Sequence, residues 1–295
     1  GMDWSDTALE ANYRVMLQLR TMPETILNWD NKPNAIDDWL IARLKQRVAE
    51  FNEAMTNYDL RRAVEISHYE LIKDINWYTR RGGNNAKVGR TVLESWTYLI
   101  SVSTPHLAEE WGRCISLENL VSASQMKDIG SVSTTEASIL DYEFIMRGVL
   151  ESSRKVKTIA EKHLQGEADK LTLIVSPEWK NTLSREAISY LQNGGNVKQF
   201  IEELKQMDFV NEGNMGEILS YWNKKMLSQV FKWDDKAKGL ILDNIDEAKI
   251  LSDRASFIAE ELGLSDVEIV NAENYQGTDG RENAAIPLSP SIIFA

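Results

Sequence analysis

The residues best suited to chemistry form a basic cluster around a glycine-rich turn. Arg80 and Arg81 close a predicted helix just before G-G-N-N at residues 82–85, and Lys87 and Arg90 open the next predicted helix. Guanidinium groups bind phosphate oxygens in a bidentate manner. A helix N-terminus adds unpaired backbone N–H groups that favour anions. The pattern therefore predicts a phosphate-binding site rather than a site of bond making.

Other titratable residues do not form a catalytic or metal-binding constellation. His68 and Glu65 are near neighbours on a predicted helix, but no second ligand accompanies them, so we do not expect a metal site. Glu109 and Glu110 are consecutive, and consecutive helical side chains point about 100° apart, so they cannot converge on one atom. They are expected to make structural ion pairs.

Two further residues have structural interpretations. His106 follows Pro105 at an expected kink, which favours a partly buried histidine that orients its helix. Cys114 is expected to be a small packed side chain. As the chain's one cysteine, it excludes an internal disulfide framework and indicates a reducing cytoplasm.

Composition is that of an ordinary globular protein, with 43% apolar and 26% charged residues in 295. No window approaches the about 18 uninterrupted apolar residues that a membrane span needs, so no membrane association is expected. The net charge of −12 argues against a general nucleic-acid or DNA binder. Basic residues nevertheless concentrate at 61–90 and 154–162, which suits a specific anionic partner. The alternative is that these runs are solvated helix faces.

The first half has the apolar periodicity of long amphipathic helices. Predicted helices cover residues 6–28, 36–55, 60–77 and 88–111, with Asn34 as a plausible N-cap of the second and Pro105 splitting or kinking the last. Short turns between them predict an antiparallel bundle. Trp77 is expected in the core, whereas Tyr78 could pack there or stack on a base.

The second half of the sequence mixes predicted strands with predicted helices. A connecting loop at 113–133 and a long helix at 134–165 lead to a predicted strand at 170–175. Further segments are predicted as helices at 178–191, 197–207, 216–233 and 243–262, a strand at 266–270, and an extended tail at 284–295. The fold class is therefore mainly α: an antiparallel bundle (1–133), a connecting helix (134–165) and a small α/β domain (166–295).

Two motifs in the first half resemble a known family. T-P-H-L-A-E-E-W at 104–111 resembles the P-H-x-A-E-E-L-W signature of the helical anticodon-binding domain of class I aminoacyl-tRNA synthetases. W-Y-T-R-R at 77–81 resembles a segment that precedes it in archaeal-type leucyl-tRNA synthetases. D-W-L-I-A-R-L at 38–44 is similar to the opening of the same domain, with Ala42 where serine is usual.

The second half resembles the C-terminal domain of the same synthetases. A-E-K-H at 160–163, the strand at 171–175 and S-P-E-W-K at 176–180 are similar to its start, and the apolar peptide at 287–294 looks like its end. Isoleucyl, valyl and methionyl synthetases share the helical domain and remain an alternative, so the leucyl assignment depends on this half.

The resemblance implies a tRNA-binding region that positions leucine tRNA, both its body and its long variable arm. It implicates Ile292, Ile293 and Phe294 at the tail, in addition to Arg80, Arg81, Lys87 and Arg90. The chain ends Phe294-Ala295 where a Glu-like ending is typical, so main-chain contacts are expected there rather than side-chain contacts.

The nucleotide-binding signatures of class I synthetases, His-Ile-Gly-His and Lys-Met-Ser-Lys-Ser, are missing from the sequence. K-M-L-S-Q at 225–229 lies within a predicted helix and lacks the second lysine. The resemblance therefore implies a segment with no cofactor, inactive alone, with ATP and Mg²⁺ used by the full enzyme. Its partners would be leucine tRNA and the catalytic part of the synthetase, of which it would be a fragment or a divided subunit.

Two hypotheses from other classes remain open. An acidic helical bundle could serve as a protein–protein scaffold, in which case Arg80 and Arg81 would have no role in RNA binding. A stand-alone enzyme would need an apolar pocket with convergent titratable groups, a pattern that the sequence does not show.

Overall fold

A computed structural model describes residues 5–164, 166–277 and 280–295. The chain forms two compact units, Gly1–Leu140 and Asp141–Ala295, divided within the long helix Thr134–Leu164. The predicted fold class, mainly α with a small α/β region, is confirmed. The three-part division made from the sequence stays a prediction, and the predicted helix end at residue 165 lies outside the described residues.

The first unit is built of helices and one short β-bridge. Its elements are α1 (Asp6–Leu27), β1 (Asn31–Lys32), α2 (Asp37–Thr56), α3 (Leu60–Glu65), a π turn (Ile66–Glu70), α4 (Leu71–Arg80), β2 (Asn84–Asn85), α5 (Ala86–Ser101), α6 (Pro105–Cys114), a 3₁₀ turn (Val121–Ala123) and the start of α7 (Thr134–Leu164). β1 and β2 pair antiparallel, a contact that periodicity did not predict.

Helix boundaries in this unit follow from local chemistry. Pro105 is the first residue of α6, where its missing N–H costs no hydrogen bond, so the proline splits the predicted helix. Ser133 and Glu136 form a reciprocal capping box at the start of α7, with backbone-to-side-chain distances of 2.8 and 3.3 Å. Asn34 lies outside the first turn of α2, but its Oδ1 accepts from Ile36 N at 3.2 Å.

The core of the first unit is centred on Trp96 and Trp111, whose rings meet edge to face at 5.1 Å. Trp111 Nε1 donates to the carbonyl of Leu19 at 3.1 Å. Trp96 Nε1 donates to the carbonyl of Ser67 at 2.6 Å, within the π turn, where the widened turn interrupts the α-helical hydrogen-bond ladder. Both indoles are thus buried with satisfied donors.

The second unit places helices around a three-stranded sheet. After the rest of α7, its elements are β3 (Lys170–Val175), α8 (Glu178–Gln192), α9 (Val197–Leu204), α10 (Met215–Tyr221), a π turn (Trp222–Met226), α11 (Leu227–Lys232), α12 (Asp235–Leu242), α13 (Glu247–Ser252), α14 (Ala255–Leu262), β4 (Asp266–Asn271), 3₁₀ turns (Ala272–Asn274 and Arg281–Ala284) and β5 (Ser291–Phe294). The strand order is β4-β3-β5, with β3 parallel to β4 and antiparallel to β5.

One predicted helix in this unit is wrong in extent. The segment 243–262 is not one helix: α13 and α14 are separate, and α12 precedes them where none was predicted. Asp234 and Asp246 each cap a new helix by accepting a backbone N–H, from Ala237 at 2.8 Å and from Lys249 at 2.9 Å. These caps start α12 and α13, and α14 is separate from α13 because Arg254, with φ −123° and ψ 7°, leaves the helical conformation. In the described ranges, no helix is long and apolar enough to cross a membrane.

Candidate nucleic-acid interface

The basic turn, residues 80–90 at the end of α4 and the start of α5, is held by one buried carboxylate. Asp37, 8% exposed, accepts a hydrogen bond from Tyr78 Oη at 2.6 Å and from Asn85 Nδ2 at 2.6 Å. Its second oxygen also accepts from Asn34 N at 3.1 Å. The first turn of α2 is thereby joined to the end of α4 and the start of α5. A negative group at a helix N-terminus is additionally favoured by the helix dipole.

Tyr78 links both sides of the turn. Its hydroxyl donates to Asp37 and accepts from Asn85 N at 3.1 Å, and its ring lies 5.2 Å from that of Trp29. Burial, followed by the hydrogen bond to Asp37, raises the pKa of the Tyr78 hydroxyl well above its ordinary value. The phenol therefore stays protonated and keeps donating to Asp37 at any pH at which the protein would be used.

The turn itself requires its glycines. Gly82 has a φ of +80°, a conformation that side chains disfavour, and its carbonyl accepts from Asn34 Nδ2 at 2.9 Å. A Cβ atom on Gly83 would lie 2.3 Å from the ring of Tyr78. Asn85 then caps α5 by accepting from Lys87 N at 3.1 Å. The sequence G-G-N-N is thus a turn with fixed geometry.

The predicted cations cluster at this turn. Arg80 is exposed at the end of α4, with its guanidinium 5.9 Å from the centroid of the Trp77 ring, while Arg81 is half-buried. Lys87 and Arg90 are exposed on the first turns of α5. Arg90 is partly engaged, because it donates to the carbonyl of Ile115 at 2.6 Å and lies 3.3 Å from Glu94.

Part of the predicted basic band is neutralised within the unit. Arg62 pairs with Glu70 at 2.5 Å and with Glu50 at 3.1 Å, and Arg61 pairs with Glu65 at 3.0 Å. Although burial opposes it, the hydrogen bond from Arg62 lowers the pKa of Glu70. Arg61 and Arg62 therefore contribute less positive charge to the surface than the sequence run 61–90 indicates.

Buried ion pairs connect α2 to α4, the helix that precedes the basic turn. Arg47, 7% exposed, donates to Asp74 at 2.8 Å and to Glu50 at 2.8 Å, and it also pairs with Glu70. Arg43 reaches the same Asp74 at 3.2 Å. These contacts join α2 to the π turn and α4, the helix that ends in Arg80 and Arg81.

Trp77 and Tyr78 belong to the core. Their exposed fractions are 7% and 0%, so the core placement expected for Trp77 is confirmed, and Tyr78 packs rather than presenting its ring for stacking on a base. Through the contact with Arg80, Trp77 still orients one of the candidate phosphate-binding groups.

The tail residues form the edge strand β5. Phe294 is 8% exposed and pairs with Leu171, while Ile292 and Ile293 are half-buried opposite Leu173 and Thr172. Ala295 continues the pairing, because its carbonyl accepts from Lys170 N at 3.0 Å. The structure thus keeps the predicted tail site at a sheet edge in the second unit, separate in sequence and in unit from the basic turn.

Several side chains differ from expectation. His106 is exposed rather than partly buried, and Cys114 is exposed rather than packed, because both lie on the solvent side of α6. Where the sequence predicts an ion pair, the Glu109 carboxylate accepts backbone hydrogen bonds from Val121 N and Ser122 N, each at 3.0 Å. Those two backbone hydrogen bonds lower the pKa of Glu109.

No metal centre is apparent: among the residues with described placement, no group of three or more His, Cys, Asp or Glu could hold an ion. His68 instead contacts Ser67 Oγ at 2.8 Å and is buried. The K-M-L-S-Q segment lies within the π turn and α11, as predicted for an ordinary helix.

Sequence comparisons agree with the motifs. The family described as the anticodon-binding domain of tRNA ligase matches residues 37–170, which include the entire basic turn. Leucine–tRNA ligase of Methanocaldococcus jannaschii is 28% identical over 260 residues, covering 88% of this chain and 25% of the relative.

Two further relatives carry the same name. Leucine–tRNA ligase of Methanococcoides burtonii is 28% identical over 304 residues, covering 99% of this chain and 30% of the relative. That of Methanococcus maripaludis is 30% identical over 262 residues, covering 88% and 24%. The chain thus spans 24–30% of the length of these relatives. It is similar over nearly its whole length to the C-terminal part of an archaeal-type leucyl-tRNA synthetase, and residues 37–170 match the anticodon-binding domain of tRNA ligases.

Proposed function

We propose that this chain is the tRNA-binding region of a leucine–tRNA ligase, and that its first unit contacts tRNA phosphates through the basic turn. The observation that carries this proposal is that Arg80, Arg81, Lys87 and Arg90 all fall inside the segment that matches the anticodon-binding domain. The same match favours this function over a protein–protein scaffold.

The geometry supports phosphate binding by a preorganised surface. The Asp37 hydrogen bonds fix the relative positions of the end of α4 and the start of α5. Cations on both sides of the turn are therefore held in place before RNA arrives, which lowers the ordering cost of binding. Because the whole chain has a net charge of −12, the cations at this turn provide a locally favourable point of approach for RNA phosphates.

Leucine specificity belongs, in this proposal, to the second unit. The long variable arm of leucine tRNA would contact the edge strand β5, with main-chain groups of Ile292, Ile293 and Phe294 as the candidate contacts. The ligation chemistry, with ATP and Mg²⁺, belongs to the portion of the relatives that has no counterpart here, and we propose a cytoplasmic location for the whole enzyme.

Binding of fluorescently labelled leucine tRNA, measured by anisotropy at several salt concentrations, tests the proposal. Replacing both Arg80 and Arg81 by alanine should weaken binding by about tenfold and reduce the salt slope by about 1–2, because two phosphate contacts are lost. The matched control replaces Arg61 and Arg62 by alanine. It removes the same charge from the same unit, but from arginines of α3, outside the basic turn.

Three outcomes are decisive. No binding of any tRNA at low salt would refute the tRNA-binding function. Equal weakening by the two double variants would refute a localised site at the basic turn. A leucine tRNA without its long arm that binds as well as the intact molecule would refute the role of the second unit in leucine specificity.

A further inference from the structure

The S-P-E-W-K motif ends in a lysine that is buried without an ion pair to any described residue. Lys180, on the first turn of α8, is 3% exposed. Lysines are almost never fully buried unless they are paired. Burial lowers the pKa of Lys180 to about 8, so its amine is still protonated at pH 7 and carries three N–H donors. A task for these donors would account for a cation at this position.

The amine of Lys180 lies between backbone carbonyls and aromatic rings. Its Nζ donates to the carbonyl oxygens of Asn283 at 3.1 Å and of Ala285 at 2.9 Å. The same atom lies 5.0 Å from the centroid of the Tyr221 ring and 5.6 Å from that of Trp179, within the range at which a cation is attracted to an aromatic face. Lys180 therefore joins α8 to backbone that follows it by 103 and 105 positions in the chain.

The two carbonyls depend on Lys180 to different degrees. The Asn283 carbonyl also accepts from Lys225 Nζ, in the π turn, at 3.2 Å. Within the described part of the chain, Lys180 is the one donor to the Ala285 carbonyl, and Ala285 is 0% exposed, so water cannot replace that donor. A buried carbonyl that loses its donor costs about 1–3 kcal/mol. The contact at Ala285 is therefore the one that needs Lys180.

The backbone held by Lys180 leads directly into β5. Five residues separate Ala285 from Ser291, the first residue of that strand. Between them Leu288 N donates to Glu247 Oε2, from α13, at 3.1 Å. The register of a strand depends on the geometry of the turn that precedes it, and a slip by one residue turns every side chain to the other face. The anchor at Ala285 therefore limits how far the four-residue strand β5 can slip along β3.

We propose that Lys180 is a positioning residue for tRNA recognition, which fixes β5 by holding the backbone at residues 283–285. The main-chain groups of Ile292 and Ile293 are thereby kept in the register in which they meet the variable arm. This role rests on the proposed function, because that function assigns the variable arm to β5. Lys180 is itself buried and does not touch RNA.

Binding of the full chain to a leucine tRNA and to the same tRNA without its long arm, measured by fluorescence anisotropy, tests this role. Lys180→Met keeps the aliphatic stem and removes the donors, so it should weaken binding of the intact tRNA by about tenfold. Binding of the shortened tRNA should change by less than about twofold, because the basic turn is untouched. Lys198→Met is the matched control, because Lys198 is exposed on α9 of the same unit and the net charge changes equally.

Lys180→Arg separates the donated hydrogen bonds from packing. Arginine keeps the charge and the N–H donors but is larger than lysine, whereas methionine replaces the stem without donors. If the donors hold β5, the arginine variant should bind intact tRNA more tightly than the methionine variant does. If Lys180 acts only through packing, the larger arginine should be the weaker binder.

Amide hydrogen exchange reads the position of the strand directly. In Lys180→Met the peptide that contains β5 should exchange faster than in the parent, whereas β3, at the centre of the sheet, should keep its protection. If β3 also loses protection, the unit has unfolded and Lys180→Arg decides. Intact-tRNA affinity within about threefold of the parent then supports the role of the donors, and a loss of about tenfold with β3 protected overturns it.

Two failures can be told apart. A parent chain that binds both tRNAs equally would refute the contact between β5 and the variable arm, and the role of Lys180 in recognition would be lost with it. If the parent prefers the intact tRNA but Lys180→Met binds it equally well, or exchanges the β5 amides at the rate of the parent, the proposed function stands and Lys180 is not a positioning residue. Weaker binding by the arginine variant than by the methionine variant would also overturn the proposal.

Discussion

The hydroxyl of Tyr78 offers the sharpest test of how the basic turn is built. Tyr78→Phe keeps the ring, its volume and its contact with Trp29, and removes a single oxygen atom. That oxygen donates to Asp37 at 2.6 Å and accepts from Asn85 N at 3.1 Å, and the tyrosine is 0% exposed. The substitution therefore isolates the hydrogen bonds from the packing.

The expected loss follows from those two contacts. A hydrogen bond to a charged group contributes about 1.5–3 kcal/mol to stability, and an unpaired buried N–H costs about 1–3 kcal/mol. Asp37 retains its bonds from Asn85 and Asn34, which limits the damage to the carboxylate. We therefore expect Tyr78→Phe to lower the free energy of opening of the start of α5 by about 3 kcal/mol.

Amide hydrogen exchange of the peptide that contains β2 and the first turns of α5 measures this opening directly. Tyr69→Phe is the control, because the hydroxyl of Tyr69 makes one exposed hydrogen bond, to Asn12 at 2.6 Å. That loss should not exceed about 1 kcal/mol. If the two variants exchange alike at the start of α5, the buried hydrogen bonds do not hold the turn, and the account of the site is wrong.

Three further outcomes follow from the structure. Burial lowers the pKa of His68, so the unfolded chain binds the proton more readily than the folded chain does. The free energy of unfolding is therefore full above about pH 6.5 and falls below it, by at most about 1.4 kcal/mol per pH unit. Urea titrations from pH 7.5 to 5.5 should show this slope in the parent and a shallower one in His68→Gln. Gly83→Ala should destabilise the first unit by about 1–3 kcal/mol, because the added Cβ overpacks against Tyr78. Gly148→Ala should instead stabilise helix α7 by up to about 1 kcal/mol, because its added Cβ meets nothing within 4 Å. Thermal unfolding followed by circular dichroism distinguishes the two variants. Arg47→Met leaves the 1% exposed Asp74 with only part of its cationic environment and should cost about 3–5 kcal/mol in urea unfolding, and a cost below 1 kcal/mol would refute the buried network.

Helices of the first unit were predictable because their causes are local. The apolar stripe at three- and four-residue spacing identifies one buried face, and Pro105 marks a helix start without any knowledge of the fold. The burial of Trp77 followed from the size of its side chain. Motif resemblance then supplied what periodicity alone could not, namely the class of partner.

The hydrogen bonds to Asp37 that hold the basic turn were not predictable in the same way. Asp37 bonds to Tyr78 and Asn85, which are 41 and 48 residues away in sequence. An acidic residue near a helix start looks like an ordinary dipole-favoured residue until the tertiary fold brings its partners. A single weak signal was available: the acid precedes Trp39 and Leu40, in a stretch of core residues.

Charge runs were misleading for a related reason. Arg61 and Arg62 belong to the predicted basic run 61–90, and the fold brings Glu50, Glu65 and Glu70 to them. The sequence shows formal charge, whereas the effective charge of a surface depends on which acids are packed against it. The missed start of α12 has a local cause, because Asp234 was not recognised as a cap.

The strand order of the second unit has a consequence for how the protein is made. The central strand β3 is translated first, but both of its neighbours follow only after the intervening helices have emerged from the ribosome. Until then the segment K-L-T-L-I-V, which is short, apolar and β-prone, has no partner strand on either side. Such segments are prone to pair with other chains. A chaperone that covers this hexapeptide until β4 and β5 are available would therefore reduce intermolecular pairing of nascent chains.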